Sequence, residues 1–252
     1  MKFTQIATIL VAGLVAGLSP AFGATVFSAS GADQASITPE LDLFRASLGA
    51  LNANNPEVFV GGRREINWNG VPAASSDPFP GDFFNGNTPG RARGNVNTTP
   101  GDKFITPIPG AADEFASFSG RAFLPVGSFQ TDVFFFSPAD QKTPSKTNGF
   151  GVIFLDVDDA LTASMEFFTI TGASLGKYDV APFAGEKTFS FLGVKFDNPD
   201  IFRVRIVSGT TASPAAMDDF IYGEPVPTPE PSTYAMLGTG LIGAWLWRKK
   251  RA

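Results

Sequence analysis

Two groups of aspartates are the side chains of this sequence best placed for metal chemistry. Asp156, Asp158 and Asp159 follow an apolar run, and Asp218 and Asp219 lie within the last such run. Calcium prefers oxygen ligands, so a loop and a terminal strand could together supply a structural calcium site. Adjacent residues of a regular strand point to opposite faces, so at most one of the last two carboxylates should face the core. The alternative is that these carboxylates only keep turns and an edge strand soluble.

The absence of two residue types excludes most other chemistry. The 252-residue sequence contains no His and no Cys. Ser-His-Asp and Cys-His catalysis and zinc-imidazole sites are therefore excluded, and no disulfide supports the fold. Pairs of Asp and Glu could still serve a glycosidase, but no motif selects such a pair. We therefore expect a protein that is not an enzyme, with a structural calcium as the one candidate cofactor.

The N-terminal end has the pattern of an export signal. A basic start precedes an apolar run at residues 6–18, and the small residues Ala21 and Gly23 follow it. Small residues are required at positions −3 and −1 of a signal peptidase site. The sequence therefore predicts a signal peptide over residues 1–23 that is removed by cleavage before Ala24.

The C-terminal end, residues 226–252, has three parts in a fixed order. A proline-rich stretch cannot form helix and stays extended. The 14 apolar residues 234–247 would span about 21 Å as a helix, less than the roughly 30 Å hydrocarbon core of a bilayer. A terminal basic cluster is typical of the cytoplasmic side of such a helix. The residues of the first and third parts are Pro229, Glu230, Pro231 and Arg248, Lys249, Lys250, Arg251.

This order of parts resembles the PEP-CTERM sorting signal of Gram-negative bacteria. The resemblance implies that an exosortase in the inner membrane recognises the tail, which anchors the protein transiently, and cleaves near the Pro-Glu-Pro motif. The released protein would reach the cell surface or the extracellular space. Many proteins with this tail come from cells that make exopolysaccharide, so the resemblance also implies a biofilm setting and exopolysaccharide as a partner.

Removal of both ends would make the protein more acidic. The full chain has 19 basic and 24 acidic residues, and the body without its two ends keeps 14 basic and 23 acidic ones. Such an acidic surface predicts neither nucleic acid nor anionic lipid as a partner of the mature protein.

The body, residues 24–225, begins with one predicted helix. Thr38 could cap it, Pro39 suits its first turn, and Gly49 would end it. Its apolar face would carry Leu41, Phe44 and Leu48. The rest of residues 24–114 is rich in Gly, Pro, Asn and Asp, which predicts loops with few strands.

From residue 115 to residue 225 short apolar runs alternate with turns. This pattern predicts an all-β sandwich or jelly roll. In the clearest run, Phe202, Val204 and Ile206 should face the core while Arg203 and Arg205 face solvent. The predicted strands are residues 121–126, 131–136, 150–157, 163–170, 187–196, 201–207 and 217–222.

Aromatic residues predict a phenylalanine-rich core. The chain has 26 Phe but only 3 Tyr and 3 Trp, and Phe fills cores more often than it forms sugar-binding faces. We expect Trp68 to fasten a loop onto the sandwich, with Arg64 packed alongside it or paired with Glu65. Residues 61–65 could alternatively bind an anion, although no phosphate-loop pattern follows them.

The body also resembles a set of uncharacterised secreted bacterial proteins, through residues 62–68, 149–156 and 217–225. No activity comes with this resemblance. The last strand is also similar to the final strand of jelly-roll carbohydrate-binding modules, in which an Asp holds calcium. The expected function is a structural or interaction module at the cell surface or in the matrix, and the alternative is a lectin-like module.

Overall fold

The computed structural model describes residues 23–107, 115–198 and 200–228. The PEP motif, the apolar segment 234–247 and the basic cluster lie outside these residues, as does the predicted signal peptide except Gly23. Within the described ranges, no helix is long and apolar enough to cross a membrane.

The regular structure of the described chain is mainly β-strand, with one α-helix and a short 3₁₀ turn at Ala73–Ser75. The elements in chain order are β1 (Ala24–Gly31), α1 (Gln34–Leu48), β2 (Arg63–Ile66), β3 (Asn95–Thr98), β4 (Lys103–Ile105), β5 (Leu124–Val126), β6 (Gln130–Phe135), β7 (Ser145–Lys146), β8 (Gly149–Leu155), β9 (Ala163–Phe168), β10 (Ser174–Asp179), β11 (Phe189–Phe196), β12 (Arg203–Ser208), β13 (Ala216–Gly223) and β14 (Val226–Pro227).

Two five-stranded antiparallel sheets form the body. The first sheet has the strand order β1-β11-β8-β13-β2, and the second has the order β10-β9-β12-β6-β3. Two small sheets, β4-β5 and β7-β14, complete the described structure. The prediction of an all-β sandwich with one N-terminal helix is confirmed.

A large apolar core lies between the two sheets. Alternate residues of each strand point inward, so β8, β11 and β13 of the first sheet meet β6, β9 and β12 of the second. Phenylalanine supplies much of this core, as predicted. Its fully buried members include Val133, Phe135, Phe150, Val152, Phe154, Met165, Phe167, Val204, Ile206 and Phe220.

Helix α1 covers the outer face of the first sheet and encloses a second core. Its apolar stripe is Ile37, Leu41, Phe44 and Leu48, and it packs on Ile153, Phe191 and Ile221. Because α1 protects this outer face, both faces of the first sheet are apolar. This explains the continuous burial of β8 and β13, in which every residue is buried.

Helix α1 begins earlier than predicted. The side chain of Asp33 accepts a hydrogen bond from the Ser36 N–H at 2.9 Å and caps the helix. Thr38 instead lies inside the helix, where its hydroxyl donates to the Gln34 carbonyl. The predicted end is confirmed, since Gly49 adopts a φ of 99°, a left-handed conformation that favours glycine.

The seven predicted strands correspond to β5, β6, β8, β9, β11, β12 and β13, but two long strands were missed. Strand β1 has no clear alternation of apolar and charged residues, and β10 is interrupted by a register shift at Gly176. Within β12, Val204 and Ile206 are buried as predicted. Phe202 was wrongly included, because it precedes the strand and is only half-buried.

Trp68 fastens the loop after β2 to the first sheet, as predicted. Its side chain is 0% exposed and stacks on Phe123 with ring centroids 4.2 Å apart. Phe79 and Phe220 contact the indole edge-on, and the indole N–H donates to the main-chain carbonyl of Asp218 at 2.8 Å. Both the apolar and the polar parts of the indole are therefore satisfied.

The substitution Trp68→Ala tests this role. Loss of a buried aromatic side chain should lower the free energy of unfolding by about 3–5 kcal/mol, measured by denaturant titration. Val60→Ala is the matched control, because Val60 is fully exposed in the neighbouring loop. A change below about 0.5 kcal/mol for Trp68→Ala, the level of an ordinary surface substitution, would contradict the fastening role.

Candidate functional site

Asp218 and Asp219 form a buried acid pair because β13 contains a bulge. Met217 pairs with Phe154, but Phe220 pairs with Val152, so β13 has one extra residue at this point. The prediction that the two carboxylates point to opposite faces is therefore wrong. Ser119 shows this directly, since its Oγ lies 2.7 Å from Oδ1 of Asp218 and 2.6 Å from Oδ1 of Asp219.

The acid pair lies on the side of the first sheet that faces α1. Oδ2 of Asp218 accepts hydrogen bonds from the backbone N–H groups of Phe118, at 2.8 Å, and Ser119, at 3.3 Å. Oδ2 of Asp219 lies 3.9 Å from Nη2 of Arg45, a residue of α1. That guanidinium is mainly engaged with Glu65 of β2, at 3.0 Å. The pair thus joins β13 to the segment before β5.

The contacts of Ser119 require a proton on the acid pair. A serine hydroxyl has a single hydrogen to donate, yet Oγ of Ser119 is close to both carboxylates. Both contacts are hydrogen bonds only if at least one carboxyl group is protonated and donates to Oγ, which also lies 3.2 Å from the Asn67 carbonyl. Asp218 already accepts two backbone N–H bonds, which favour its ionised form. Asp219 is therefore the protonated member.

The electrostatic environment agrees with this assignment. Burial and the neighbouring charge of Asp218 raise the pKa of Asp219 to about 8, against the opposing effects of Ser119 and Arg45. Burial also raises the pKa of Asp218, opposed by its hydrogen bonds from Ser119 and Phe118. Near neutral pH Asp219 should therefore be mainly protonated.

A pair of carboxylates that shares a proton can carry out acid–base chemistry where substrate reaches it. Here the side chains are 0% and 4% exposed for Asp218 and Asp219. Two cavities of about 500 and 220 Å³ are lined by other residues. The geometry of the acid pair suits a structural connection between β13 and the Phe118–Ser119 segment.

The five predicted calcium ligands do not form one group. Asp156 ends β8 with a left-handed φ of 68°, Asp158 accepts the Gly185 N–H at 2.9 Å, and Asp159 is exposed. Among the residues that the structure describes, no three acidic side chains are grouped closely enough to hold a metal ion. The acid pair is also a poor cation site, because protein donors occupy it and Arg45 lies beside it. The residues present do not fit the predicted calcium.

A second buried charge centre was not anticipated. Arg64 and Glu224 have fully buried side chains and form a two-bond ion pair, with Nε to Oε2 at 2.7 Å and Nη2 to Oε1 at 2.8 Å. The expectation that Arg64 packs beside Trp68 or pairs with Glu65 is therefore wrong. Glu65 pairs instead with Arg63 and with the guanidinium of α1.

Loop atoms saturate this ion pair. Arg64 also donates to the carbonyls of Ala92, at 2.6 Å, and Glu57, at 2.8 Å. Glu224 accepts from the side-chain amide of Asn52, at 2.9 Å, and from the N–H of Phe59, at 3.3 Å. The guanidinium of Arg64 is thus neutralised within the chain, which leaves little support for an anion site at residues 61–65.

The C-terminal tail leaves the body through β14. Val226 and Pro227 pair with β7, and the Thr228 N–H donates to the Pro144 carbonyl at 3.0 Å. The residue after this hydrogen bond is Pro229, the first residue of the Pro-Glu-Pro motif. Residues 226–228, which the sequence assigns to the tail, therefore make backbone hydrogen bonds to the body directly before the motif.

An aromatic sugar-binding platform is not evident. Trp68 and Tyr222 are fully buried. Tyr178 is partly buried and packs edge-on against Phe167. No fully exposed Trp or Tyr ring occurs in the ranges 23–107, 115–198 and 200–228.

The substitution Asp219→Asn tests the shared proton. The pKa of Asp219 is about 8 in the folded protein against an ordinary value of 3.8. Between these pH values the unfolded chain releases a proton that the folded protein keeps, so the free energy of unfolding should fall as pH rises. The slope can reach about 1.4 kcal/mol per pH unit. An Asn side chain can still donate a hydrogen bond to Ser119 but has no titratable proton. The free energy of unfolding of Asp219→Asn should therefore change less with pH between about 4 and 8.

The measurement is denaturant unfolding at pH values from 4 to 9. Above the folded-state pKa of about 8, Asp219→Asn should be more stable than the native protein. Asp159→Asn, in an exposed loop, is the control and should keep the native profile. Parallel profiles for the native protein and Asp219→Asn would show that no proton is shared.

Comparison with solved structures gives two weak likenesses. One is to the enzymatically active domain of bacteriophage CBA120 tailspike protein 4, with 16% identity, a TM-score of 0.29 and coverage of 58% of this chain and 21% of that chain. The other is to CBM29_1, a family 29 carbohydrate-binding module from Piromyces equi, with 12% identity, a TM-score of 0.27 and coverage of 52% and 91%. No curated protein matches the chain.

The tail gives a specific match. Residues 227–251 match the PEP-CTERM protein-sorting motif, which confirms the resemblance seen in the order of the three tail parts. The match does not extend to the body. The chain therefore carries a PEP-CTERM sorting motif, which indicates a secreted protein that is processed by exosortase, a membrane enzyme.

Proposed function

We propose that the body is a non-enzymatic structural or interaction module, delivered to the cell surface or the extracellular matrix. One observation carries this proposal: the reactive side chains that the fold groups together are buried and satisfied by the protein itself. Asp218 and Asp219 bond to Ser119, and Arg64 and Glu224 bond to each other. These groups stabilise the body and leave little for a substrate to contact.

The route of delivery follows from the two ends of the body. Strand β1 begins at Ala24, so removal of a signal peptide before that residue would keep the whole strand. Residues 229–233 can span at most about 20 Å between Thr228 and the apolar segment 234–247. Before processing, the folded body would therefore lie beside the inner membrane of a Gram-negative cell. Cleavage then frees it for an exopolysaccharide matrix.

Mass spectrometry of the extracellular protein tests this route. Its first residue should be Ala24, and its last should lie between Thr228 and the start of the apolar segment, because an earlier cut would remove the hydrogen bond of Thr228 to Pro144 or β14 itself. Glu230→Ala should reduce release and leave the uncleaved chain in the membrane fraction. Glu186→Ala, an exposed body residue, should behave like the native protein. Extracellular protein that still contains Trp245 to Arg251 would contradict the proposed processing.

A glycan array tests the proposed structural role against the lectin-like alternative. The mature protein should show no saturable binding to any glycan, with or without calcium, because its Trp and Tyr rings are packed inward. Tyr178→Ala should leave the array result unchanged. Saturable binding that Tyr178→Ala abolishes would instead assign a carbohydrate site to β10.

A further inference from the structure

The four edge strands of the two main sheets are β1 and β2 in the first sheet and β10 and β3 in the second. An edge strand exposes a row of backbone N–H and C=O groups that can pair with another chain. Soluble proteins protect such edges with charges, bulges, short strands or covering loops. An edge without these features is a candidate interaction surface.

Three of the four edges are protected. Strand β2 has four residues, three of them charged, and Asn52 covers it by donating its N–H to the Arg63 carbonyl. Strand β3 also has four residues, and the N–H of Asn97 donates to the Gly81 carbonyl of a covering loop. Strand β10 has a register shift at Gly176 and carries Lys and Asp.

Strand β1 lacks the charges, the bulge and the short length of the other edges, although the hydroxyl of Ser30, near its end, donates to the Pro182 carbonyl of a loop at 3.0 Å. It has eight residues, Ala24–Gly31, without a charged residue or a proline. It pairs with β11 in continuous register from Ala24 opposite Phe196 to Gly31 opposite Phe189. In the described part of the chain, β11 is its one neighbouring strand. The other edge of β1 is thus long, regular and uncharged.

The side chains of β1 differ between its two faces. Phe27 and Ala29 pack toward α1, against the second core. Ala24 packs against the core between the sheets, and Val26, on the same face, is 46% exposed. The apolar surface at this edge is therefore only partly covered by the protein's own second sheet.

We propose that β1 pairs antiparallel with β1 of a second copy of the chain, which joins the two first sheets into one continuous ten-stranded sheet. A twofold contact of this kind brings each strand against itself. Like charges that face each other across strands are destabilising, and β1 has no charges to oppose. The same contact would cover Val26 of one copy with the edge of the other.

A second copy fits this edge better than an unrelated partner. Recognition of a foreign strand is commonly directed by complementary charges, and β1 offers none. Self-pairing needs only an uncharged, regular strand, which is what the edge provides. This inference rests on the proposed function, because it takes the body to be an interaction module and assigns a second copy of the chain as its partner. Its test measures oligomeric state alone, so its failure would leave the processing and glycan results unaffected.

Sedimentation or light scattering of the protein purified after export tests the proposal. The native protein should have twice the mass of one mature chain. Val26→Lys puts a charge on the proposed interface and should give a folded monomer, with folding checked by circular dichroism and thermal unfolding. Ser174→Lys places the same charge on the protected edge strand β10 and should leave the dimer intact.

Engineered cysteines provide a second test, in which a disulfide-linked dimer is detected. This test does not require a substitution that weakens the interface. The chain has no Cys, so any disulfide-linked dimer reports on the introduced residue. In such a twofold pair one residue of β1 lies opposite its own copy, so a single cysteine at one position from Thr25 to Ser30 should give a dimer that reductant separates, whereas Ser174→Cys should not. A native protein that is monomeric at every concentration overturns the proposal. So does a dimer that Val26→Lys leaves intact, or one that no single cysteine from Thr25 to Ser30 links.

Discussion

The buried ion pair between Arg64 and Glu224 constrains the whole body. Transfer of two charges out of water costs several kcal/mol per ion, so each charge must have a partner, and loss of one partner is strongly destabilising. The two residues are 160 positions apart in the chain. Arg64 also binds the loop carbonyls of Glu57 and Ala92, and Glu224 follows β13. The loop-rich N-terminal part and the last long strand must therefore fold together.

The ion pair also lies close in sequence to the Pro-Glu-Pro sorting motif. Glu224 lies five residues before Pro229. Between them, β14 pairs with β7, and the Thr228 N–H donates to the Pro144 carbonyl. The folded body and the motif are thus nearly contiguous. The ion pair at Glu224 and the pairing of β14 with β7 thus both lie in the short stretch of chain between β13 and the motif.

The sequence predicted those features that depend on local pattern. The alternation of Val204 and Ile206 predicted the inward face of β12, Leu41, Phe44 and Leu48 predicted the apolar face of α1, and the tail was recognisable from its three parts. Strand β1 was missed because a strand flanked by small and polar residues has no regular alternation. The bulge at Asp218 and Asp219 changes the register by one residue without a required residue type. The partner of Arg64 was missed because a contact across 160 residues leaves no local signal.

The two buried charge centres have a common physical role. Without disulfides, an exported domain with long loops must fix those loops by packing and by hydrogen bonds. Trp68 and Ser119 both bond to Asp218, one at its main-chain carbonyl and the other at its side chain, so a single bulged position holds two separate loop segments. Arg64 and Glu224 do the same for the loop at residues 52–59. Asp218 and Asp219, which suggested calcium binding in the sequence, thus connect β13 to the Phe118–Ser119 segment through hydrogen bonds to protein donors. A bound metal ion would have made the same connection.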